Sequence, residues 1–323
     1  MRLITLSVLP ILIIFVSLFF VLRKRPEFSR ASTKTLKVLT YSAFLNSWGP
    51  GPQIAKKYQE KTGVQVEFID GGDAGLLLKK LALFKADIVL GLDQFSIAQR
   101  DPKLKWKSNF QAIDWSPMTF IYRKSEIAPP KNLDDLLDSR FEKAISLSDP
   151  RTSTPGLQFL LWILKEKGRE RGFNYLKKLK KNIAFVGPSW SASYGHFKKK
   201  QSKLSFSYFT SPVYHWTEER NLDYQAAVLK EKLPIQVEFV VIPDGASDAP
   251  SANQFINFLR SEEIQKMIMQ KNFMLPIKSE QRVGSPFERL IVNYVSEAEM
   301  KFDSEYSPQE LGQILSEWQA IGL

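Results

Sequence analysis

From Leu36 to Leu92 the chain switches back and forth between two hydrophobic periods, and that switching narrows its possible folds more than any other feature. Leu36 to Tyr41 alternates as a strand does, and Trp48-Gly-Pro-Gly-Pro52 turns the chain into an amphipathic helix carrying Ile54, Ala55 and Tyr58. Gly63 stops that helix, and Val64, Val66 and Phe68 alternate as a second strand. Leu76 to Phe84 reads as a short helix and Ala86 to Leu92 as an apolar strand of the buried, parallel type. Strand, helix, strand, helix, strand is the signature of a doubly wound α/β sheet.

A second series follows the first. It runs through a strand at Met118–Tyr122, a helix near Leu133–Leu137, a strand at Ala144–Leu147, an apolar helix from Thr154 and a helix ending at Leu179. Strands at Ile183–Val186 and Leu204–Tyr208 then alternate with helices through Tyr194 and from Pro212. The strand Ile235–Ile242 leads into a helical tail with elements at Ala252–Phe258, Ser261–Met269 and Pro308–Ala320. Two α/β lobes joined by long strands near 113–122 and 235–242 would enclose a cleft. The expected division is 35–116 plus 241–323 for the first lobe and 117–240 for the second. Open α/β sheets bind ligands beyond the carboxyl ends of their strands, so the residues that follow strands are the candidates for a site.

One such junction is Asp149-Pro-Arg-Thr-Ser-Thr-Pro-Gly156, which runs into the apolar helix Leu157–Leu164. Ser153 or Thr154 can cap that helix, and Pro155 suits its first turn, where a missing N–H is harmless. The free N–H groups and the positive end of the helix dipole make such a turn either a ready anion site or simply the start of a core helix.

Composition excludes several classes of function. The 323 residues contain no Cys, so disulfides, cysteine zinc sites and thiol nucleophiles are absent, and His196 and His215 are too few for a histidine metal cluster. A net charge of +11 sits in short basic runs with no nucleic-acid recognition motif beside them, which reads as a solvated basic face. Seven Trp and ten Tyr supply rings for stacking on flat ligands.

At the amino terminus, Leu3–Leu22 is twenty residues without a charge, long enough to cross a bilayer. Residues 1–22 are expected to be an uncleaved anchor or, next, a cleaved export signal, followed by a linker at 23–34. Arg23-Lys24-Arg25 lies on the side that the positive-inside rule would keep in the cytoplasm, in tension with export.

Six ordered segments carry a family resemblance. They are Tyr41-Ser-Ala-Phe-Leu-Asn-Ser-Trp-Gly-Pro-Gly-Pro52, Ala86-Asp-Ile-Val-Leu-Gly-Leu-Asp93, Asp149–Gly156, Trp190-Ser-Ala-Ser-Tyr-Gly195, Ser207-Tyr-Phe-Thr-Ser-Pro-Val-Tyr-His215 and Ser316-Glu-Trp318. From about residue 36 onward the chain resembles the periplasmic thiamine-binding proteins of bacterial ABC importers. The resemblance implies a type II periplasmic binding protein fold, with two doubly wound lobes, a hinge of crossing strands and one ligand closed between them. Carried over residue by residue, it implies aromatic contacts from Tyr41, Trp48, Trp190, Tyr208 and Tyr214. Asp73 would lie near the aminopyrimidine, and Ser153, with Thr154 and neighbouring N–H groups, would meet a hydroxyl or phosphate tail. Where the family has a Trp before Met-Tyr-Pro, this chain has Asn272-Phe-Met-Leu-Pro276, so Phe273 would supply a weaker cation–π face. Ala74 replaces a family Gly, and the segment from Asp93 to Phe110 is shorter.

These roles suit thiamine chemically, because a flat cation is held by aromatic faces and its exocyclic amine by a carboxylate. Taken singly, the same residues have plainer explanations. Trp48 could plug a lobe interior, Tyr208 alternates with Phe206 as a core strand residue, and Asp73 could be a loop acid or a cap. The expected function is capture of thiamine, or its mono- or diphosphate, for delivery to permease and ATPase subunits in the inner membrane. The expected protein is a periplasmic monomer without a metal or cofactor. It would not be an enzyme, since related enzymes of this fold rely on Cys. A polyamine binder would need several cleft carboxylates, of which Asp73 and Asp114 are the candidates; a sensor without transport is the other alternative.

Overall fold

The computed structural model describes residues 34–98, 100–292, 300 and 306–323. The expected segment 1–22 and the linker up to residue 33 lie outside the described residues. The strands are β1 (Thr35–Thr40), β2 (Gln65–Asp70), β3 (Ile88–Asp93), β4 (Gln111–Arg123), β5 (Ile145–Ser148), β6 (Ile183–Gly187), β7 (Leu204–Tyr208), β8 (Tyr224–Ala226), β9 (Ile235–Val241) and β10 (Leu275–Pro276). The helices are α1 (Ser42–Leu45), α2 (Gly51–Thr62), α3 (Leu77–Leu81), α4 (Gln94–Ala98), α5 (Thr154–Lys167), α6 (Arg169–Leu179), α7 (Trp190–Lys198), α8 (Ser211–Thr217), α9 (Ala249–Leu259), α10 (Glu262–Asn272) and α11 (Pro308–Ile321).

One mixed sheet runs in the order β2-β1-β3-β9-β4-β7-β5-β6, with β8 and β10 added beside β4. Its two wings, β2-β1-β3 and β7-β5-β6, are parallel. The contacts β3–β9, β9–β4 and β4–β7 that join them are antiparallel. Strand–helix–strand crossovers produce parallel wings, so the switching of period in the sequence dictates them. The pairing of β4 with β9 is long-range. Strand β4 covers 13 residues, well beyond Met118–Tyr122, and is buried along nearly all its length. Asp114, Ser116 and Pro117 disguise its first half as irregular chain.

Apolar residues collect in separate clusters along this sheet. On one side of the first wing, Leu36, Val38 and Val240 pack on Ile54 and Tyr58 of α2 and on Phe255 and Ile256 of α9. On the other side, Leu39, Val89, Trp115, Val237 and Phe239 pack with Leu77, Met269 and Phe287. Neighbouring strand residues such as Val38 and Leu39 go to different clusters because successive side chains point to opposite faces.

The second wing surrounds α5, whose residues Thr154 to Leu164 are all buried. A helix apolar all round must be enclosed, and each fully buried Leu, Ile or Phe in it contributes about 1.5–3 kcal/mol. A Cβ on Gly156 would lie 2.2 Å from Ser148 O, so only glycine lets the first turn of α5 sit this close to the end of β5.

Two expectations change here. The segment near Leu133–Leu137 is a short 3-10 turn, Asp134–Leu137, with Leu136 buried. Helix α11, allotted from the sequence to the first lobe, instead buries Leu311, Ile314, Trp318 and Ile321 in the cluster around α5 and α6. A Ser307–Glu310 capping box starts α11, and Arg169–Glu317 pairs it with α6. Amphipathicity marks which face a helix buries but not which core receives it.

Candidate functional site

A cleft of about 820 Å³ opens beside the junction of the wings. Its walls include Tyr41, Trp48, Asp73, Thr154, Trp190, Tyr208, Tyr214 and Phe273. Five of these occupy strand ends. Tyr41 follows β1, Asp73 lies in the turn after β2, Thr154 opens α5 after β5, Trp190 opens α7 after β6, and Tyr208 ends β7.

The rings are set at defined angles. Trp190 stacks on Tyr194 at 5.2 Å and 17°, and meets the edge of Tyr208 at 5.7 Å. Its Nε1 donates to Ser207 Oγ at 2.8 Å, which fixes the indole plane. Tyr214 meets Phe273 edge-on at 5.3 Å. Phe273 has φ 55° and ψ 36°, a left-handed conformation rare for a bulky residue, which turns the chain out of α10 beside the cleft. Trp48 is 54% exposed and stands at the mouth of the cleft, so it does not plug a lobe interior.

The floor is acidic. Asp93 of β3 and Asp114 of β4 both stand opposite Glu238 of β9, forming a row of three carboxyls across adjacent strands. A register shift between Leu90 and Leu92, at Gly91, brings Asp93 into the row, and a second between Ala112 and Asp114 brings Asp114 into it. Bulges re-aim side chains in this way beside functional sites. Like charges directly opposite are destabilising in a sheet, and here all three groups are buried.

Each carboxyl is held differently. Asp93 accepts from Phe95 N, Ser96 N and Ser96 Oγ, and from Thr154 Oγ1 at 2.9 Å, which links the start of α5 to the end of β3. Glu238 Oε2 accepts from Tyr41 OH at 2.8 Å. Asn272 Nδ2 donates to Tyr41 OH and to Asp114 Oδ2, each at 2.9 Å. Burial pushes the Asp114 carboxyl up to about 7. Glu238 is held well above the usual carboxylate range by burial and then by the charge of Asp114. Asp73, which accepts from Gly75 N at 3.1 Å, is also raised by burial.

A basic edge completes the cleft. Lys198 and Lys271 line it together with Glu218. Lys198 Nζ lies 4.7 Å from the centre of the Tyr214 ring and pairs with Glu219 at 2.8 Å. Behind them, the buried His215 ring bonds Tyr194 OH at 2.8 Å and stacks on Tyr224 at 3.5 Å. Burial lowers its pKa.

Ser153 is the sequence candidate that the cleft walls leave out. It occupies the N-cap position of α5 without a side-chain capping bond, and its Oγ is buried with no partner. Its own N–H donates to Asp149 O at 2.9 Å. Thr154 does not cap either, because its hydroxyl is committed to Asp93.

Sequence reasoning missed Glu238, Gln236, Asn272 and Lys198. For Gln236 and Glu238 the one available signal was two polar residues alternating inside the apolar strand Ile235-Gln-Val-Glu-Phe-Val-Val241. Trp318, part of a matching segment, is fully buried in the α5 core and is not a cleft residue. Among the described residues no group of three or more His, Asp or Glu is arranged to hold a metal ion.

Comparison with known proteins supplies the remaining observations. The family profile described as "Bacterial extracellular solute-binding protein" matches residues 84–282. The "Thiamine-binding periplasmic protein" of Brucella suis is 32% identical over 297 residues, covering 85% of this chain and 88% of that protein. The protein of the same name from Escherichia coli is 33% identical over 264 residues, covering 75% and 80%. A solved "Periplasmic thiamin binding protein" superposes with a TM-score of 0.75 at 31% identity, covering 89% of this chain and 96% of that one. The chain shares the type II periplasmic binding protein fold with these neighbours.

Proposed function

The chain belongs to the bacterial extracellular solute-binding proteins, within the group of the thiamine-binding periplasmic proteins, and on that premise we propose that it captures thiamine and delivers it to a membrane permease. The observation that carries the reading is the pairing of an aromatic box with an acidic floor. Trp190, Tyr208, Tyr214, Phe273 and Trp48 offer faces to a flat cation, each good contact contributing about 0.5–2 kcal/mol. Asp73 and Glu238 place two acidic groups in the same cleft.

The ligand lies between two lobes, 35–116 with most of 241–323, and 117–240 joined by α11; β4 and β9 act as the hinge. Thiamine mono- and diphosphate also enter, their tails meeting the start of α5 at Thr154 and the ammonium group of Lys198. The protein works as a monomer in the periplasm, served by permease and ATPase subunits of an ABC importer. Residues 1–22 act as an export signal or a tether. A small dication such as putrescine is the second reading, favoured by the row Asp93–Glu238–Asp114 beneath the rings.

Titration calorimetry with thiamine, its two phosphates and putrescine tests this, with tryptophan fluorescence followed as the cleft closes. Micromolar or tighter binding of thiamine with quenching is the expected result. Silence with all three thiamine forms would sink the proposal, and tight binding of putrescine alone would favour the second reading.

A further inference from the structure

Glu238 sits on the cleft floor in surroundings that oppose its ionisation. Asp114 faces it from β4 and Asp93 from β3, so the charges bearing on it are acidic. Tyr41 at the end of β1 donates to its Oε2, Asn272 at the end of α10 bridges Tyr41 to Asp114, and burial followed by the charges of the same carboxyls raises the pKa of Tyr208 of β7. Asp73 lies on the cleft wall beyond them. An independent observation comes from Gln236, two residues earlier on the same face of β9. It lines the cleft and is 2% exposed; its Nε2 is committed to Tyr208 OH at 3.1 Å, and its Oε1 has no partner. A buried acceptor left open at the floor of a cleft calls for a donor from the ligand.

We propose that Glu238 reads the ligand as a neutral carboxylic acid rather than as a carboxylate, with Gln236 Oε1 taking the second proton of the ligand's amine. The inference rests on the thiamine reading, and it deepens that reading by naming the recognised group. A 4-aminopyrimidine edge presents a ring nitrogen acceptor beside an N–H donor. A protonated carboxyl presents the complement, an O–H donor beside a carbonyl acceptor. With Oε2 as the carbonyl already accepting from Tyr41, the proton sits on Oε1 and donates to the ring nitrogen. Asp114 opposite Glu238 keeps that proton in place, which gives a function to an otherwise unfavourable juxtaposition of carboxyls. Two bulges in the neighbouring strands are needed to build it. The cationic thiazolium then belongs to the aromatic faces, and a ligand without an aminopyrimidine-like edge is refused at the floor.

Substitution and infrared spectroscopy test the proposal together. Glu238→Leu removes both halves of the pairing and is expected to weaken thiamine binding by roughly 30-fold or more. Glu238→Gln carries an N–H donor beside a carbonyl and recovers most of that loss. Affinity of the wild-type protein falls as pH rises through the raised pKa of Glu238, because the proton is lost, whereas that of Glu238→Gln stays level. In the ligand-free protein at neutral pH, the infrared C=O stretch of protonated carboxyl is present, and the component due to Glu238 is lost in Glu238→Gln while any contribution from Asp114 remains. The proposal is overturned if that component is absent, or if Glu238→Gln binds no better than Glu238→Leu. Failure of the wild-type protein to bind thiamine would instead overturn the parent reading, and the Glu238 component alone would then decide the state of the carboxyl.

Discussion

A Cβ placed on Gly91 would lie 2.3 Å from Cε1 of Tyr41. Gly91 has φ 90° and forms the bulge in β3 that puts Asp93 opposite Glu238. One glycine therefore makes room for a ring on the cleft wall and sets the register of the acidic floor. Gly91→Ala combines a steric overlap with a left-handed backbone and is expected to destabilise the fold by about 2–4 kcal/mol. Urea unfolding measures it. A loss under about 0.5 kcal/mol would show that the bulge tolerates a side chain.

Stability should depend on pH through the floor. The folded-state pKa of Asp114 is raised, to about 7 from 3.8. The folded protein therefore holds this proton more tightly than the unfolded chain does. The resulting stabilisation is present below about pH 4 and is lost as pH rises to about 7. Glu238, also raised, adds to the loss in the same direction. The ligand-free protein should lose on the order of a few kcal/mol between pH 5 and 8 from this pair, set against whatever other groups contribute. Asp114→Asn, which can still accept from Asn272, should flatten that slope. An unchanged slope in the variant would contradict the assignment.

Ser153→Ala removes a buried hydroxyl that has no partner. It should raise stability by about 1 kcal/mol and leave affinity for thiamine and its phosphates within about twofold of wild type. A selective loss of phosphate-ester binding would instead return Ser153 to the tail site. Trp190→Ala, by contrast, should weaken all thiamine forms alike, by about 1–2 kcal/mol in calorimetry.

Lys198 lines the cleft, and the proposed reading sets its ammonium group against a phosphate tail. Lys198→Met keeps a long side chain but removes the ammonium group that lies over the Tyr214 ring. Diphosphate affinity should drop about tenfold while thiamine affinity stays within about threefold. Equal losses for both ligands would make Lys198 a packing residue for Tyr214 rather than a tail contact.

Local periodicity was enough to read the parallel wings, the enclosed α5 and the strand ends where Tyr41, Asp73, Thr154, Trp190 and Tyr208 stand. Hydrophobic period and turn residues are short-range properties, and they survive into the folded chain when each element has one face to bury. Family resemblance singled out the rings themselves, Tyr41, Trp48, Trp190, Tyr208, Tyr214 and Phe273, which periodicity alone leaves ambiguous between core and cleft. Tertiary structure decided the rest. A bulge is a single extra residue; Gly91 inside an apolar strand is a local mark of one, but nothing in the sequence marks the second before Asp114, and the two shifts together decide which carboxyls face Glu238. Of the two caps the sequence offered, Ser153 takes the N-cap position of α5, but its buried hydroxyl makes no capping bond. The apolar stripe of α11 was equally plain, but its destination on α6 was a choice between two available cores. Register and docking partner are relations between distant segments, and so they became determinate only when those segments met.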